Sequence, residues 1–154
     1  PLPHLYYPNL STERILIVRK PGPRAAATAD PAQREASRLP LTKLATTEIC
    51  NDVWHIASCR GGELEHSCPF PQDLVARLIL LYSHKSDLVL DPFLGSGQTM
   101  VVARGYERRF AGVDVEEQFV EYARSRIGEP LKIRSKQLRA RYEHLENDPI
   151  LQPD

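Results

Sequence analysis

The sequence has no apolar run long enough to matter to a membrane. Stretches such as Leu78 to Tyr82 and Leu88 to Leu90 fall far short of the roughly 20 residues that cross a bilayer. It also opens without a charged segment leading into an apolar one, so secretion is not signalled and the reducing cytosol is the expected compartment. It has few cysteines and no Cys-x-x-Cys pair: Cys50, Cys59 and Cys68 recur every nine residues with His55 and His66 nearby. Without a paired anchor they read as free thiols, and no metal site is expected. Excess charge is missing as well. Lys and Arg number 20 and Asp and Glu number 20, so no overall field draws the molecule to a polyanion and any nucleic-acid contact must be local. The first residue is Pro1 instead of methionine, and the chain is expected to be trimmed or cut from something larger.

What is present fits one domain of ordinary size, with 42% hydrophobic residues in a chain of 154. Arg14 to Lys20 is apolar and β-branched between charged ends, the pattern of a buried strand. Pro21 to Pro40, made largely of Ala, Pro, Arg and Thr, offers little to bury and reads as a linker or loop. Asp52 to Ile56 is expected to be extended and packed, with Trp54 as a core anchor. From Pro71 the pattern sharpens. Pro71 suits a helix start, Asp73 lies in the first turn, and Leu74, Val75, Leu78, Ile79 and Tyr82 recur at helical spacing.

A strand, Leu88 to Leu90, then runs into Asp91, followed by a glycine-bearing turn and a helix over Gln98 to Arg104. Phe110 to Val113 is a second strand closed by Asp114, and Glu116 to Ile127 a second helix stopped by Gly128 and Pro130. This order specifies an α/β fold with a parallel sheet and flanking helices. From Leu131 onward, Lys132, Arg134, Lys136, Arg139 and Arg141 form the single basic cluster, either a solvated helix face or a phosphate-contacting surface.

Ligands of parallel α/β sheets bind beyond the carboxyl ends of the strands. Asp91 and Asp114 close two such ends, and the turn holding Gly95 and Gly97 lies between them. Glycines there let the backbone bend sharply and a ligand come close. Asp114 follows Gly95 by 19 residues, near the spacing of about 20 at which an acidic residue takes the ribose of an adenosine cofactor. Two phosphate-binding patterns fit poorly. Met100 stands where a dinucleotide fingerprint has its third glycine, the one that permits close helix packing, and no lysine follows Gly97 as in a P-loop. A cofactor with a ribose and no phosphate is left.

Asp91-Pro92-Phe93-Leu94-Gly95-Ser96-Gly97-Gln98-Thr99 resembles the signature of DNA amino-methyltransferases acting on adenine N6 or cytosine N4, Asp-Pro-Phe-x-Gly-Ser-Gly-Thr-Thr, departing from it only at Gln98. His66 to Pro71 is similar to the segment that covers the methionine part of the cofactor in that family. Gly112-Val113-Asp114 resembles its ribose-binding strand end, and Glu117 to Ala123 the helix that follows. The likeness is close from Glu65 to Ile127 and looser over Glu13 to Lys20. It implies a partial Rossmann-like S-adenosylmethionine-dependent methyltransferase fold, with S-adenosyl-L-methionine held by Phe70, Asp91, Pro92, Phe93, Gly95, Ser96, Gly97, Thr99 and Asp114. His66 is expected to be a structural hydrogen-bonder.

The resemblance further implies double-stranded DNA as substrate and a place in a restriction-modification system. One component of the family is missing. Its catalytic tetrapeptide, Asp, Asn or Ser followed by Pro-Pro and an aromatic, accepts the protons of the amine on a base turned out of the duplex, and no Pro-Pro occurs in this sequence. Tyr6-Tyr7-Pro8-Asn9 has a related composition in the wrong order. No catalytic residue is therefore expected here, and the tetrapeptide is expected in a missing N-terminal part or a second polypeptide.

The expected organisation is a remnant catalytic-subdomain strand in 1–20 and a linker or short target-recognition region in 21–50. A cofactor-binding subdomain in 51–130 and a basic tail in 131–154 complete it. Two other readings stay open: a non-catalytic cofactor- or partner-binding subunit, and a nicotinamide enzyme.

Overall fold

The computed structural model describes residues 12–22, 29–39, 49–57, 59, 69–135 and 138. Six elements follow in order: α1 (Pro31–Ala36), α2 (Gln72–Tyr82), β1 (Leu88–Asp91), α3 (Gln98–Gly105), β2 (Arg109–Gly112) and α4 (Glu117–Ser125). The strands are parallel, with Leu88 opposite Arg109 and Asp91 opposite Gly112. They are joined through α3 in one β-α-β crossover. A parallel pair needs such a crossover because the chain must return to the same end of the sheet.

Helix α2 begins after Pro71, which holds the extended N-cap position at φ −67° and ψ 138°, where its lack of an N–H is harmless. Its buried stripe runs through Gln72, Val75, Ala76, Ile79 and Leu80, whereas Tyr82 is 59% exposed. The expected apolar face is thus rotated, and Tyr82 falls off it. The stripe packs with Val102, Ala103 and Tyr106 of the α3 region to make the core, which Val89 and Phe110 of the sheet close from below.

Among the described residues nothing covers the opposite sheet face: Leu88 and Leu90 are 58% and 64% exposed. Parallel sheets are normally covered on both faces, so this is a partial α/β fold.

Four further expectations change. Arg14 to Lys20 is irregular and exposed throughout; an apolar segment becomes a strand only beside a partner edge, and among the described residues it pairs with none. The segment read as a linker contains α1, capped by Asp30, whose Oδ2 accepts the N–H groups of Ala32 and Gln33. Gln33 Nε2 donates to Asp87 Oδ1 at 3.0 Å and Lys85 N–H to Ser37 Oγ at 2.7 Å, so polar anchoring does what apolar burial could not. The fold also continues past residue 130. Ile133 and Leu138 are buried in the core, and Asp73 accepts the N–H groups of Arg134 and Ser135 at 2.9 and 2.7 Å. Asp52 to Ile56 is irregular, and Trp54 is half-buried with Arg77 over its ring at 6.0 Å. Lys136, Arg139, Arg141, His66, Cys68 and Tyr6 to Asn9 lie outside the described residues.

Candidate functional site

The site forms where β1 and β2 end. Asp91 is the last residue of β1, and its Oδ1 accepts the Phe93 N–H at 3.0 Å, an Asx turn that lifts the chain off the sheet. Leu94 N–H then donates to Val113 O, and Gly97 N–H to Leu94 O, both at 2.9 Å. This tight bend needs left-handed backbone at Gly95, φ 46°, and at Gly97, φ 74°, where glycine carries no Cβ penalty.

Gly97 is also the N-cap of α3. A Cβ placed on it would lie 2.8 Å from the Cβ of Ala123, so the small pair Gly97 and Ala123 brings α4 against the loop. Met100 does not obstruct this packing as the sequence implied. It is buried together with Leu94, Val101 and Ala123, because the close approach falls on Gly97 instead of one turn later.

Asp114 lies two residues beyond β2, and both oxygens of its carboxylate serve the loop. Oδ2 accepts the Gly95 N–H at 2.7 Å and Oδ1 the Glu116 N–H at 3.0 Å. Charged acceptors make short, strong bonds of this kind.

The cleft above the loop is open to solvent and is lined by Phe70, Asp91, Phe93, Gly95, Ser96 and Thr99 among the expected residues, and also by Pro69, Leu94 and Gln98. Pro92 is exposed in the turn, Gly97 faces α4, and Asp114 braces from behind. The Phe70 and Phe93 side chains stand 58% and 86% exposed. Among the described residues no Lys or Arg lines the cleft, and Asp91 is its one charged residue. A phosphate would meet a carboxylate there, whereas a cation would be attracted.

A polar network that the sequence did not announce supports the loop. Arg126, 2% exposed, donates from Nη1 to the Ser96 carbonyl and from Nη2 to Gln98 Oε1 at 3.1 Å and Glu129 Oε2 at 3.0 Å. Gln98 Nε2 donates to the Phe70 carbonyl at 2.9 Å, and Gln72 Nε2 donates to Gln98 Oε1 at 3.1 Å. The Arg126 hydrogen bond holds the Glu129 carboxyl below the usual glutamate pKa, with smaller help from the Arg126 and Lys132 charges against partial burial. In sequence Arg126 is indistinguishable from the exposed Arg124 two positions earlier. Its role comes from the chain's turn at the end of α4.

Residues 2–125 match the sequence model of the family described as DNA methylase. The chain belongs to that family. Among similar proteins, the type II methyltransferase M.MthZI of Methanothermobacter thermautotrophicus is 34% identical over 140 residues, covering 86% of this chain and 39% of that one. M1.MboII of Moraxella bovis, also a type II methyltransferase, is 41% identical over 83 residues, covering 49% and 32%.

A putative DNA modification methylase of Thermus thermophilus, crystallised in complex with S-adenosyl-L-methionine, aligns with a TM-score of 0.56 and 29% identity over 78% of this chain and 48% of its own. The partial Rossmann-like fold is thus shared with S-adenosylmethionine-dependent DNA methylases. The chain spans about a third of the length of these two type II methyltransferases.

Among the described residues, no group of three or more His, Cys, Asp and Glu could hold a metal ion, and no helix is long and apolar enough to cross a membrane.

Proposed function

We propose that this chain is the S-adenosylmethionine-binding portion of a cytoplasmic DNA methyltransferase that modifies the exocyclic amine of adenine or cytosine within a restriction-modification system. The observation that carries the reading is the cleft beyond β1, which joins one carboxylate, two exposed aromatics and a glycine loop with no basic side chain among the described residues. Its charge suits a ligand with a sulfonium and an amino group and disfavours a pyrophosphate. Bound there, S-adenosylmethionine supplies a methyl group activated by its sulfonium.

In this reading Asp91 takes the cofactor's amino group with the carboxylate that also fixes Phe93. Phe70 and Phe93 shield its apolar parts from water. Gly95, Ser96, Gly97 and Thr99 admit it close to the backbone, Pro92 stiffens the turn, and Asp114 holds Gly95 at the ribose end. The base comes from the DNA duplex, and the Pro-Pro-aromatic tetrapeptide from another segment or polypeptide, since no Pro-Pro occurs here.

Transfer of labelled methyl groups from S-adenosylmethionine to duplex DNA tests the proposal. The chain alone should give no label, and addition of a polypeptide bearing the tetrapeptide should restore it. No label in any combination, with the chain still binding S-adenosylmethionine, would leave the non-catalytic binding module as the better account.

A further inference from the structure

Arg126 and Gln98 are buried polar residues in a place where apolar side chains would pack with less penalty. The Arg126 side chain is 2% exposed, and among the described residues its buried Nε has no hydrogen-bond partner. Tyr122 covers one face at 5.8 Å, and Glu129 supplies a counter-charge at 3.0 Å. Burying a cation in this way contributes little to stability, even when it is paired. What the arrangement does provide is a fixed geometry.

The two side chains form one continuous link between two residues that line the cleft, Ser96 and Phe70. It runs from the Ser96 carbonyl through Arg126 to Gln98 Oε1, and from Gln98 Nε2 to the Phe70 carbonyl at 2.9 Å. Gln72 steadies the middle of the link through Gln98 Oε1 and accepts the Lys132 N–H at 2.6 Å. We propose that Arg126 and Gln98 are positioning residues that set the width of the cleft by holding Phe70 at a fixed distance from the loop ending in Ser96. A threonine at position 98, as in the related signature, ends two bonds short of the glutamine amide and makes no such link. This chain therefore carries its own means of placing Phe70.

The inference rests on the cofactor reading, and one experiment separates their failures. Affinity for S-adenosylmethionine is measured by calorimetry for the wild-type chain, Gln98→Glu, Phe70→Ala and the double variant. Gln98→Glu keeps the acceptor for Arg126 and Gln72 and removes the donor to Phe70. Any effect of its new charge is common to both halves of the cycle and cancels. The proposal predicts about a tenfold loss from Gln98→Glu in the wild-type background and less than about a threefold loss in the Phe70→Ala background.

Equal losses in both backgrounds overturn it while leaving the cofactor reading intact. A wild-type chain that binds no S-adenosylmethionine overturns both. Should Gln98→Glu fail to fold, Gln98→Leu enters the same cycle with the same expected non-additivity. Arg126→Lys, which retains charge and one donor, should lose less affinity than Arg126→Met.

Discussion

Replacing Gly97 with alanine perturbs the bend at its most constrained point. The residue sits at φ 74°, and a Cβ would lie 2.8 Å from Ala123 Cβ and 3.2 Å from Ala123 Cα. Left-handed backbone costs an L-residue about 1–2 kcal/mol, and forcing a methyl into a packed contact costs about 1–3 kcal/mol. Together that is about 2–5 kcal/mol, a large share of the roughly 5–15 kcal/mol that holds a domain together. Urea unfolding measures it. At a slope of about 1.5 kcal/mol/M the midpoint should fall by more than about 1 M with the slope unchanged.

Adding Ala123→Gly removes the 2.8 Å contact but not the backbone strain. It should return only part of the loss, since glycine within a helix itself costs about 0.5–1 kcal/mol. A Gly97→Ala protein within about 0.5 kcal/mol of wild type would show that the loop does not depend on this close approach.

Asp73→Ala should cost about 3 kcal/mol or more in the same assay, because it removes the carboxylate that accepts the N–H groups of Arg134 and Ser135, at about 1.5–3 kcal/mol for each bond to a charged group. Asp114→Ala should remove two charge-assisted bonds to the loop, costing about 1.5–3 kcal/mol for each bond to the charged group and weakening S-adenosylmethionine binding beside it. Phe93→Ala, at a side chain 86% exposed, should leave the unfolding midpoint unchanged while lowering cofactor affinity in calorimetry. Glu129 has a lowered folded-state pKa, so its contribution is complete above the ordinary glutamate pKa and is lost as the pH falls through the lowered one. An acid titration of stability should therefore be flatter for Glu129→Gln than for wild type.

The alternating strands and helices between Leu88 and Ser125 were legible because each carries its own signal. Short apolar runs end in Asp91 and near Asp114, and glycines mark the turn between sheet and helix. The core face of α2 was misjudged at Tyr82 because the partner that selects the face, α3, is not encoded in the local period. Arg14 to Lys20 has strand composition, yet composition cannot supply the neighbouring strand that would make it one. Helix α1 was invisible for the converse reason: its anchors, Gln33 and Ser37, are polar and meet residues roughly 50 positions away, a distance no periodicity reaches. At the site, the motif named the loop and both carboxylates, whereas the Arg126 and Gln98 link is long-range and shows only in three dimensions.

The central claim is that the space beyond β1, bordered by Asp91 and the glycine loop, holds a phosphate-free adenosine cofactor. Calorimetric titration of the folded chain with S-adenosylmethionine, run beside NAD at the same concentrations, measures this directly. The account predicts saturable one-to-one binding of S-adenosylmethionine that is lost in Asp91→Ala, and no heat with NAD. Binding of NAD in preference, or unchanged S-adenosylmethionine binding in Asp91→Ala, would contradict it.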